Sequence, residues 1–424
     1  NFRSAPIMPW DIYSLGTALS VANNFKYTIE RQTVIVLIGF ILLIVCESVV
    51  NLELKGTGPW KKRFWGIRLA GAVVFFALLC SFTHMLHQDS TIAKYKMYDK
   101  LFTPTVMSKR DGTAVAFLME LKYISVDKPA NYSESAVEEI LKPYAEQEPA
   151  AVPDSLPNII VIMNEAFSDP AVLGSFKTNQ DYMPYVHSIL SGTVDNTISG
   201  YLNVSVLGGN TANTEFEFLT GNTMAFLPQG SVAYQQYLKR EMPSLASHLK
   251  DLGYKTVATH PYNSTGWDRN KVYPLLGFDE MYFIKDYKKP ERVRKYVSDR
   301  ACYDKIIDMY ESKPAGTPLF VFNVTMQNHS SYTDDFDNFH PDIEVEGSKS
   351  KALNNYLSLM KISDESVRDL TAYFSNAGED TMIIFFGDHQ PTNSVVSNVW
   401  KLNGKNGNEL SDEDEANRYK VPYF

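Results

Sequence analysis

Cysteine is scarce in this chain of 424 residues, which contains three. Cys46 and Cys80 fall in apolar stretches near the amino terminus, and Cys302 falls in a predicted helix, where core packing is its expected role. Cysteines so few and so placed provide no disulfide framework. A folded domain must therefore rely on its own hydrophobic core, for which the roughly 270 carboxyl-terminal residues provide enough chain.

The chain also lacks an excess of basic residues. It has 40 Lys and Arg against 49 Asp and Glu, which gives a formal net charge of −9. Its one basic cluster lies between residues 55 and 68. Proteins that bind nucleic acid neutralise phosphates with a basic surface, so the sequence gives no support to that class of function. No internal repeat or low-complexity tract is apparent.

Polar side chains follow short apolar runs, where strands of an α/β sheet are predicted to end. Residues 381–386 form such a run and are followed, after one glycine, by Asp388 and His389. Residues 158–163 form a second run, and Glu165 follows after one asparagine. Open parallel sheets bind ligands beyond the carboxyl ends of their strands, so these side chains are placed for chemistry. An isolated Asp-His pair would otherwise be typical of a surface turn.

Two further strands are predicted to end in the same way. A helix over residues 243–252 precedes a strand over residues 254–259, and His260 follows that strand directly. Residues 318–324 form another buried strand, which leads into a polar cluster that ends at His329. Four strands are therefore expected to deliver polar side chains to one edge of the sheet.

These residue types suit a divalent metal ion. Three of the eight histidines in the chain belong to this set. Carboxylates from Glu165 and Asp388, together with the imidazole of His389, are ligands for Mn²⁺, Mg²⁺ or Zn²⁺. No thiolate lies nearby to favour a structural zinc site. One divalent ion is expected, with Mn²⁺ placed first.

The segment 208–216 offers a nucleophile for such a site. Two glycines precede Asn210 and Thr211, and a helix is predicted to run from Thr211 toward Leu219. Free N–H groups at a helix start favour a bound anion, and a hydroxyl beside a metal ion is easier to ionise. On this segment alone, a threonine that only caps the helix is the favoured interpretation.

Six separated motifs resemble those of lipoteichoic acid synthases and related phosphoglycerol transferases, in the sulfatase branch of the alkaline phosphatase superfamily. In chain order they are Asn-Glu at 164–165, Gly-Asn-Thr-x-x-x-Glu-Phe at 209–216, Gly-Tyr-Lys-Thr-x-x-x-His at 253–260, Gly-Trp-Asp-Arg at 266–269, Asn-His at 328–329 and Gly-Asp-His at 387–389. The resemblance covers about residues 155–424 and implies an α/β fold, a sulfatase-like α/β/α sandwich. Six motifs in the right order make chance agreement improbable.

The resemblance also implies roles for individual residues. The implied metal ligands are Glu165, Thr211, Asp388 and His389, with Thr211 also the nucleophile. The implied substrate-binding residues are Trp267, Arg269, His260 and His329, of which Arg269 and His329 also count as catalytic. Taken singly, these side chains could equally be a core aromatic, a surface ion pair and satisfied loop imidazoles.

Three features of the sequence narrow the expected chemistry. Asn210 stands before the nucleophile, where lipoteichoic acid synthases carry a lysine, so the substrate is left open. No Cys/Ser-x-Pro-x-Arg motif is present, which disfavours sulfate ester hydrolysis. Only one cluster of metal ligands is visible in the sequence, whereas two-metal phosphatases need a second Asp/His set. A single-metal transferase is the better fit.

The amino-terminal part predicts a membrane location. Two apolar stretches approach the length of a bilayer span, and the loop between them carries Lys55, Lys61, Lys62 and Arg63, which marks it as cytoplasmic. Two buried helices of a soluble protein are the alternative. The predicted segments are 1–32 extracellular, 33–50 transmembrane, 51–66 a cytoplasmic basic loop, 67–86 transmembrane, 87–154 an extracellular helical linker, and 155–424 the catalytic domain. Helical patterns in the linker cover residues 95–117 and 133–144.

The expected function is therefore transfer of glycerol phosphate from phosphatidylglycerol to a cell-envelope polymer or glycolipid, through a phospho-threonine-type intermediate. The partners are this lipid donor, the acceptor and the membrane, with no nucleic acid, and the protein is expected to be multi-pass with its catalytic domain outside. Alternatives are a phosphoethanolamine transferase or phosphodiesterase on the same scaffold, or a non-catalytic domain that binds wall polymer. The chain also looks like a fragment that lacks further spans upstream and more sheet downstream.

Overall fold

The computed structural model describes residues 6–21, 31–53, 60–99, 104–126, 128–145, 155–407 and 409–424. The chain divides into two compact units. The larger unit contains residues 10–20 and 126–424, and the smaller unit contains residues 4–9 and 21–125. Predictions for residues 54–59 of the basic loop, for residues 1–5 and 22–30 of the first segment, and for residues 146–154 of the linker fall outside the described residues.

The larger unit is built on a mixed seven-stranded sheet with the order β2-β9-β8-β1-β7-β3-β4. Five neighbouring strands, from β8 to β4, run parallel, and β9 runs antiparallel to both of its neighbours. A separate ribbon pairs β5 with β6. The strands are β1 (Asn158–Asn164), β2 (Gly200–Asn203), β3 (Lys255–Thr259), β4 (Glu280–Tyr282), β5 (Arg292–Val293), β6 (Tyr296–Val297), β7 (Leu319–Val324), β8 (Thr381–Gly387) and β9 (Lys420–Tyr423).

Helices account for most of the remaining regular structure, and those of the larger unit flank the sheet. The α-helices of the described residues are α1 (Leu15–Val21), α2 (Arg31–Glu53), α3 (Trp60–Leu86), α4 (Asp89–Tyr95), α5 (Pro104–Asp111), α6 (Thr113–Glu120), α7 (Glu134–Ala145), α8 (Pro184–Leu190), α9 (Thr211–Thr220), α10 (Ala233–Gln236), α11 (Leu245–Asp251), α12 (Arg269–Leu275), α13 (Asp299–Ser312), α14 (Lys351–Ser375), α15 (Asn393–Leu402) and α16 (Asp412–Asn417).

Alternate residues of the central strands pack into two separate cores. Ile160 and Ile162 of β1 pack with residues of α13, α14 and α15 on one face. Val161 and Met163 of the same strand pack with residues of α9, α11 and α12 on the other face. Successive side chains of a strand point to opposite faces, so a strand covered on both sides is apolar throughout. This arrangement is the α/β fold that the sequence predicts, with a mixed rather than a wholly parallel sheet.

Strand register brings the polar segments to one edge of this sheet. Asn164 at the end of β1 pairs with Gly387 at the end of β8, and Met163 pairs with Val324 at the end of β7. Thr259 at the end of β3 lies one register step away, opposite Asn323. The four strands therefore release the chain at the same level, as expected from their apolar runs.

Local signals set the ends of α11 differently from the prediction. The helix begins at Leu245, because Ser244 is its N-cap and forms a capping box with Ser247. Pro243 therefore precedes the cap instead of occupying the first turn. Gly253 follows the helix end with φ of +92° and allows the chain to turn into β3.

The smaller unit contains α2 to α6. Leu86, Met107, Ala116 and Met119 form a small buried core. The predicted helical pattern over residues 95–117 corresponds to separate helices, because α4 ends at Tyr95, Lys96 adopts a left-handed conformation, and Gly112 with φ of +87° separates α5 from α6. The second predicted pattern in the linker corresponds to α7.

Within the described residues, one helical stretch is long and apolar enough to cross a bilayer, Arg68–Leu86 of α3. A shorter apolar stretch, Leu37–Cys46, lies in α2. One such stretch is weak evidence for a membrane span, so the predicted hairpin of two spans is not confirmed.

Candidate active site

Glu165, Asp388 and His389 form a compact buried cluster at the carboxyl edge of the sheet. One ligand atom from each residue lies within 4.8 Å of the others. The Nε2 atom of His389 is 3.2 Å from Oδ2 of Asp388 and 3.9 Å from Oε1 of Glu165. The structure therefore brings together three of the four residues implied as metal ligands, although they come from strands more than two hundred residues apart in sequence.

Close backbone packing positions Asp388. A Cβ atom on Gly387 would lie 1.8 Å from the carbonyl oxygen of Phe167, so only glycine fits at the end of β8. The backbone N–H of Ala166 donates a hydrogen bond of 2.7 Å to Oδ1 of Asp388. Ala166 itself has φ of +50°, an uncommon value for a residue with a side chain. The two turns that follow β1 and β8 thus hold one carboxylate between them.

The cluster contains acceptors that face one another without a donor. The Nδ1 atom of His389 lies 2.9 Å from the carbonyl oxygen of Gln390, which can only accept, so Nδ1 carries the ring proton. In a neutral ring Nε2 is then an acceptor beside Oδ2 of Asp388. Both atoms are buried and have no hydrogen-bond partner among the described residues. Such an arrangement is costly unless a proton or a cation lies between the two atoms.

The electrostatics of the carboxyl groups agree with this geometry. Burial raises the pKa of Glu165 well above its usual range, and the neighbouring Asp388 carboxylate raises it further. Burial also raises the pKa of Asp388. Two buried carboxylates and one imidazole are suitable ligands for a divalent cation, which would neutralise the charge that burial opposes. The residues present therefore fit one divalent metal ion, and they do not decide which.

Thr211 is the first residue of α9 and lies beside this cluster. Its side chain lies close enough to Asp388 to favour the ionised carboxylate, and the residue is buried with 6% of its surface exposed. The turn before it needs unusual backbone angles: Gly208, Gly209 and Asn210 have φ values of +62°, +155° and +65°. Asn210, not Thr211, is the N-cap residue of the helix. The interpretation of Thr211 as the cap of the helix is therefore wrong, because Thr211 is already the first helical residue.

Arg269 is buried and holds an ion pair that the sequence did not predict. Its Nε atom donates a hydrogen bond of 3.0 Å to Glu215, and Nη2 also donates to this carboxylate. Tyr273 donates to the other carboxylate oxygen at 2.7 Å. One edge of the planar guanidinium is thus occupied, and Nη1 is the nitrogen without a partner among the described residues. Glu215 follows Thr211 by one helical turn, so the pair connects the start of α9 to the start of α12.

Trp267 lies in a strained turn immediately before α12. Trp267 and Asp268 both adopt left-handed conformations, with φ values of 57° and 58°. The ring of Trp267 is partly buried and packs against the core on the α9 face of the sheet. Left-handed non-glycine residues are rare and cluster at functional sites.

His260 and His329, the two other histidines of the candidate site, favour their neutral forms. Burial lowers the pKa of His260 well below its usual range, and its Nδ1 lies 2.9 Å from the carbonyl oxygen of Val324. Burial also lowers the pKa of His329 to about 4. The Nδ1 atom of His329 lies 2.9 Å from the carbonyl oxygen of Ser330. Each ring therefore carries its proton on Nδ1 and leaves Nε2 as a proton acceptor.

Arg294 is a site residue that sequence reasoning missed. It donates hydrogen bonds to the carbonyl oxygens of Gln327, His329 and Ser331, at 2.6, 2.9 and 2.7 Å. These bonds hold the loop that carries His329. No sequence motif contains Arg294, whereas Glu215 belongs to the motif at residues 209–216, in which no role was predicted for it.

The Sulfatase family model matches residues 157–424. The chain belongs to the sulfatase family. This match confirms the resemblance drawn from the six motifs, and the sulfatase-family domain carries all of the candidate site residues.

The sulfatase-family chain is also similar to curated proteins. It is 32% identical over 72% of its length to a putative cyclic beta-1,2-glucan modification protein of Rhizobium meliloti, of which it covers 47%. It is 22% identical over 90% of its length to lipoteichoic acid synthase 1 of Bacillus subtilis, of which it covers 59%. The chain thus spans about half the length of the curated relatives it matches.

A solved structure shares the fold. The phosphoglycerol transferase GacH of Streptococcus pyogenes, in complex with sn-glycerol-1-phosphate, superposes with a TM-score of 0.57 at 23% identity. The similarity covers 71% of this chain and 77% of that chain. At this identity it supports the fold of the sulfatase-family domain.

Proposed function

We propose that this protein is a membrane-anchored, metal-dependent phosphoglycerol transferase with Thr211 as its nucleophile. One observation carries the proposal: Thr211 begins α9 beside Asp388, next to a cluster of buried acceptors that fits a divalent cation. Because Asn210 is the N-cap residue, the helix does not need the Thr211 hydroxyl as its cap. The named activities of two similar proteins, lipoteichoic acid synthase 1 and the phosphoglycerol transferase GacH, support phosphoglycerol as the group transferred.

The proposed metal ligands are Glu165, Thr211, Asp388 and His389. A bound divalent cation supplies charge neutralisation and lowers the pKa of a neighbouring hydroxyl. We propose Mn²⁺ as the native ion, with Mg²⁺ or Zn²⁺ as alternatives. The donor set favours none of the three decisively, since all accept carboxylate and imidazole ligands.

In the first half-reaction, the Thr211 oxygen attacks the phosphorus of phosphatidylglycerol. The bond between phosphorus and the diacylglycerol oxygen breaks, and a glycerophospho-threonine forms. The proton lost by Thr211 is needed by the diacylglycerol that leaves. A neutral His329, with Nε2 as acceptor, is suited to relay that proton between the two oxygens.

In the second half-reaction, a hydroxyl of the acceptor attacks the same phosphorus and the bond to Thr211 breaks. The acceptor loses a proton and Thr211 regains one, so the side chain returns to its starting state. We propose a cell-envelope polymer or glycolipid as acceptor. The glucan-modifying relative supports a carbohydrate acceptor, because its name describes modification of a glucan.

The proposed substrate-binding residues are Trp267, Arg269, His260 and His329. Arg269 keeps its positive charge because Glu215 pairs with it, and its free Nη1 can donate to a phosphoryl oxygen. The Trp267 ring can wall the glycerol. A phosphate group that gains charge in the transition state is stabilised by such fixed donors more than by water.

We propose that the catalytic domain lies outside the cell membrane and that α2 and α3 anchor it. The apolar stretch Arg68–Leu86 supports at least one span. A donor lipid also requires the site to work at a membrane surface. The proposed segments remain 33–50 and 67–86 as spans, 87–154 as linker and 155–424 as the catalytic domain.

Mass spectrometry of the active-site peptide tests this proposal. The full chain, loaded with Mn²⁺, is incubated with phosphatidylglycerol, and a glycerophosphate adduct is expected on Thr211. Thr211→Ala should abolish the adduct and reduce diacylglycerol release by roughly 10⁶-fold, as loss of a nucleophile does in other covalent enzymes. Thr220→Ala, at the far end of the same helix, is the matched control and should retain activity.

Three results would count against the proposal. Diacylglycerol release by Thr211→Ala at the wild-type rate would remove the nucleophile. An adduct formed from phosphatidylethanolamine instead of phosphatidylglycerol would assign the scaffold to phosphoethanolamine transfer. Failure of the purified protein to bind any divalent ion would favour a non-catalytic, polymer-binding role.

A further inference from the structure

Residues 10–20, called the N-terminal brace below, belong to the same compact unit as the sulfatase-family domain. In sequence they precede the apolar helices α2 and α3. The brace consists of the end of a 3-10 helix, Pro9–Ser14, and most of α1. Trp10 anchors it, since only 1% of this residue is exposed and its indole nitrogen lies 3.6 Å from the position of a Cβ on Gly230.

A short series of hydrogen bonds runs from the brace to Trp267. Ser14 donates through Oγ to Oε1 of Gln235 at 2.6 Å. Gln235 is buried, with 3% exposed, and donates through Nε2 to Oγ1 of Thr17 at 3.1 Å. The same Thr17 oxygen accepts a hydrogen bond of 3.1 Å from the backbone N–H of Trp267. Thr17 therefore contacts the main chain of a residue 250 positions away.

The bonded N–H belongs to the strained turn that precedes Arg269. Trp267 and Asp268 are both left-handed, which non-glycine residues adopt only when their surroundings hold them there. A hydrogen bond to the first of the two residues is a direct way to hold the turn. Arg269 begins α12 directly afterwards, so a change in this turn moves both the indole and the guanidinium.

We propose that Thr17 is a positioning residue, and that the N-terminal brace sets the conformation of the Trp267 turn from outside the sulfatase-family domain. The inference rests on the proposed function in that Trp267 binds the transferred headgroup. It goes further in assigning a role to a segment that no motif marked. A domain cut at residue 155 lacks this contact.

Variants of the full chain in phosphatidylglycerol liposomes test the proposal. Thr17→Val keeps the shape and removes the hydroxyl, whereas Thr17→Ser keeps the hydroxyl. Loss of one hydrogen bond to the turn should raise KM for phosphatidylglycerol roughly fivefold with little change in kcat, because Trp267 contacts substrate and transition state alike. Thr17→Ser should restore the wild-type KM.

Ser14→Ala is the matched control within the brace, because it removes a bond to Gln235 but leaves the bond between Thr17 and Trp267. Its KM should stay within roughly twofold of the wild-type value. Thr17→Ala is a second variant without the hydroxyl and should match Thr17→Val. A purely structural role predicts instead a lower melting temperature with KM unchanged.

A second readout does not depend on catalysis. In protein labelled with 5-fluorotryptophan, the ¹⁹F resonance of Trp267 is identified by its loss in Trp267→Phe. It should shift or broaden in Thr17→Val and keep its position in Thr17→Ser. If the wild-type protein transfers nothing from phosphatidylglycerol, the proposed function fails, and this spectrum alone decides the role of Thr17.

Two outcomes would overturn the inference. One is a Thr17→Val protein with the wild-type KM and an unshifted Trp267 resonance. The other is Thr17→Ser behaving like Thr17→Val in both measurements, since the effect would then come from the methyl group and not from the hydroxyl.

Discussion

The edge of the sheet in the larger unit and helix α3 in the smaller unit depart from ordinary burial in opposite ways. At the sheet edge, polar groups of Asp388 and His389 are buried without hydrogen-bond partners. In α3, large apolar side chains are exposed, among them Leu69, Phe75 and Leu78 at 68%, 61% and 65%. Burial of polar atoms without hydrogen-bond partners is unfavourable, and so is exposure of large apolar side chains to water.

The two regions therefore have different requirements. The first needs a compact charge among acceptors, which a divalent cation provides. The second needs an apolar surrounding, which a bilayer provides. Each region therefore supports a different part of the proposed function, the metal site in one case and the membrane anchor in the other. Four predictions test these two regions, and they are given in decreasing order of expected effect.

Gly387→Ala should have the largest effect on stability. The added Cβ would meet the carbonyl oxygen of Phe167 at 1.8 Å, so strands β1 and β8 must separate at their ends. We expect a loss of at least about 3 kcal/mol in the free energy of unfolding, measured by urea denaturation. Gly378→Ala is the control, because a Cβ there meets nothing within 4 Å. Equal stability of the two variants would refute the packing argument.

Leu78→Arg should weaken membrane insertion of α3 by about 2–3 kcal/mol, since a charge at the centre of a span is costly. The measurement is the fraction of protein that remains in membranes after carbonate extraction. Ile198→Arg is the control, because Ile198 of the larger unit is 83% exposed and the same charge there should change nothing. Complete retention of the Leu78→Arg protein would argue against a span at Arg68–Leu86.

Asp388→Asn should stabilise the metal-free protein while abolishing metal binding. The amide keeps an oxygen for the N–H of Ala166 and replaces the unpartnered Oδ2 by a donor beside His389. We expect about 1 kcal/mol of added stability in EDTA, measured by thermal unfolding. Addition of Mn²⁺ should raise the melting temperature of the wild type and leave that of the variant unchanged. A variant less stable than the metal-free wild type would contradict this account of the site.

The smallest expected effect concerns pH. The pKa of His329 in the folded protein is lowered to about 4 from an ordinary value near 6.5. The folded state therefore binds fewer protons than the unfolded state between these values, and stability is lost as pH falls from 6.5 to 4. His329→Gln should remove roughly 1 kcal/mol of this dependence, as measured by urea denaturation at pH 5.5 and 7. Identical pH profiles for the two proteins would show that His329 is not held neutral.

Much of the sulfatase-family domain could be predicted from sequence. The strands that end at Glu165, His260 and Asp388 are continuous apolar runs, and such runs identify a sheet covered on both faces. Parallel strands end at one edge, so the cluster of ligands followed from the pattern. The smaller unit was harder, because α4, α5 and α6 are short and the break at Gly112 has only a weak signal.

The contacts that sequence reasoning missed join residues far apart. Glu215 and Arg269 are 54 residues apart, and their ion pair depends on how α9 and α12 pack on one face of the sheet. Arg294 reaches the loop of His329 from the ribbon of β5 and β6. Neither pairing has a local pattern, since side-chain partners across elements depend on packing and not on periodicity.

Hydrophobic periodicity and local motifs were enough to predict the α/β class, the strands that lead to the candidate site and the sulfatase family. Three relations came from the packing of the folded chain: Thr211 lies beside Asp388 at the start of α9, Glu215 occupies one edge of Arg269, and Thr17 reaches Trp267. These are relations between distant residues, and the chain acquires them only when its helices pack on a common sheet.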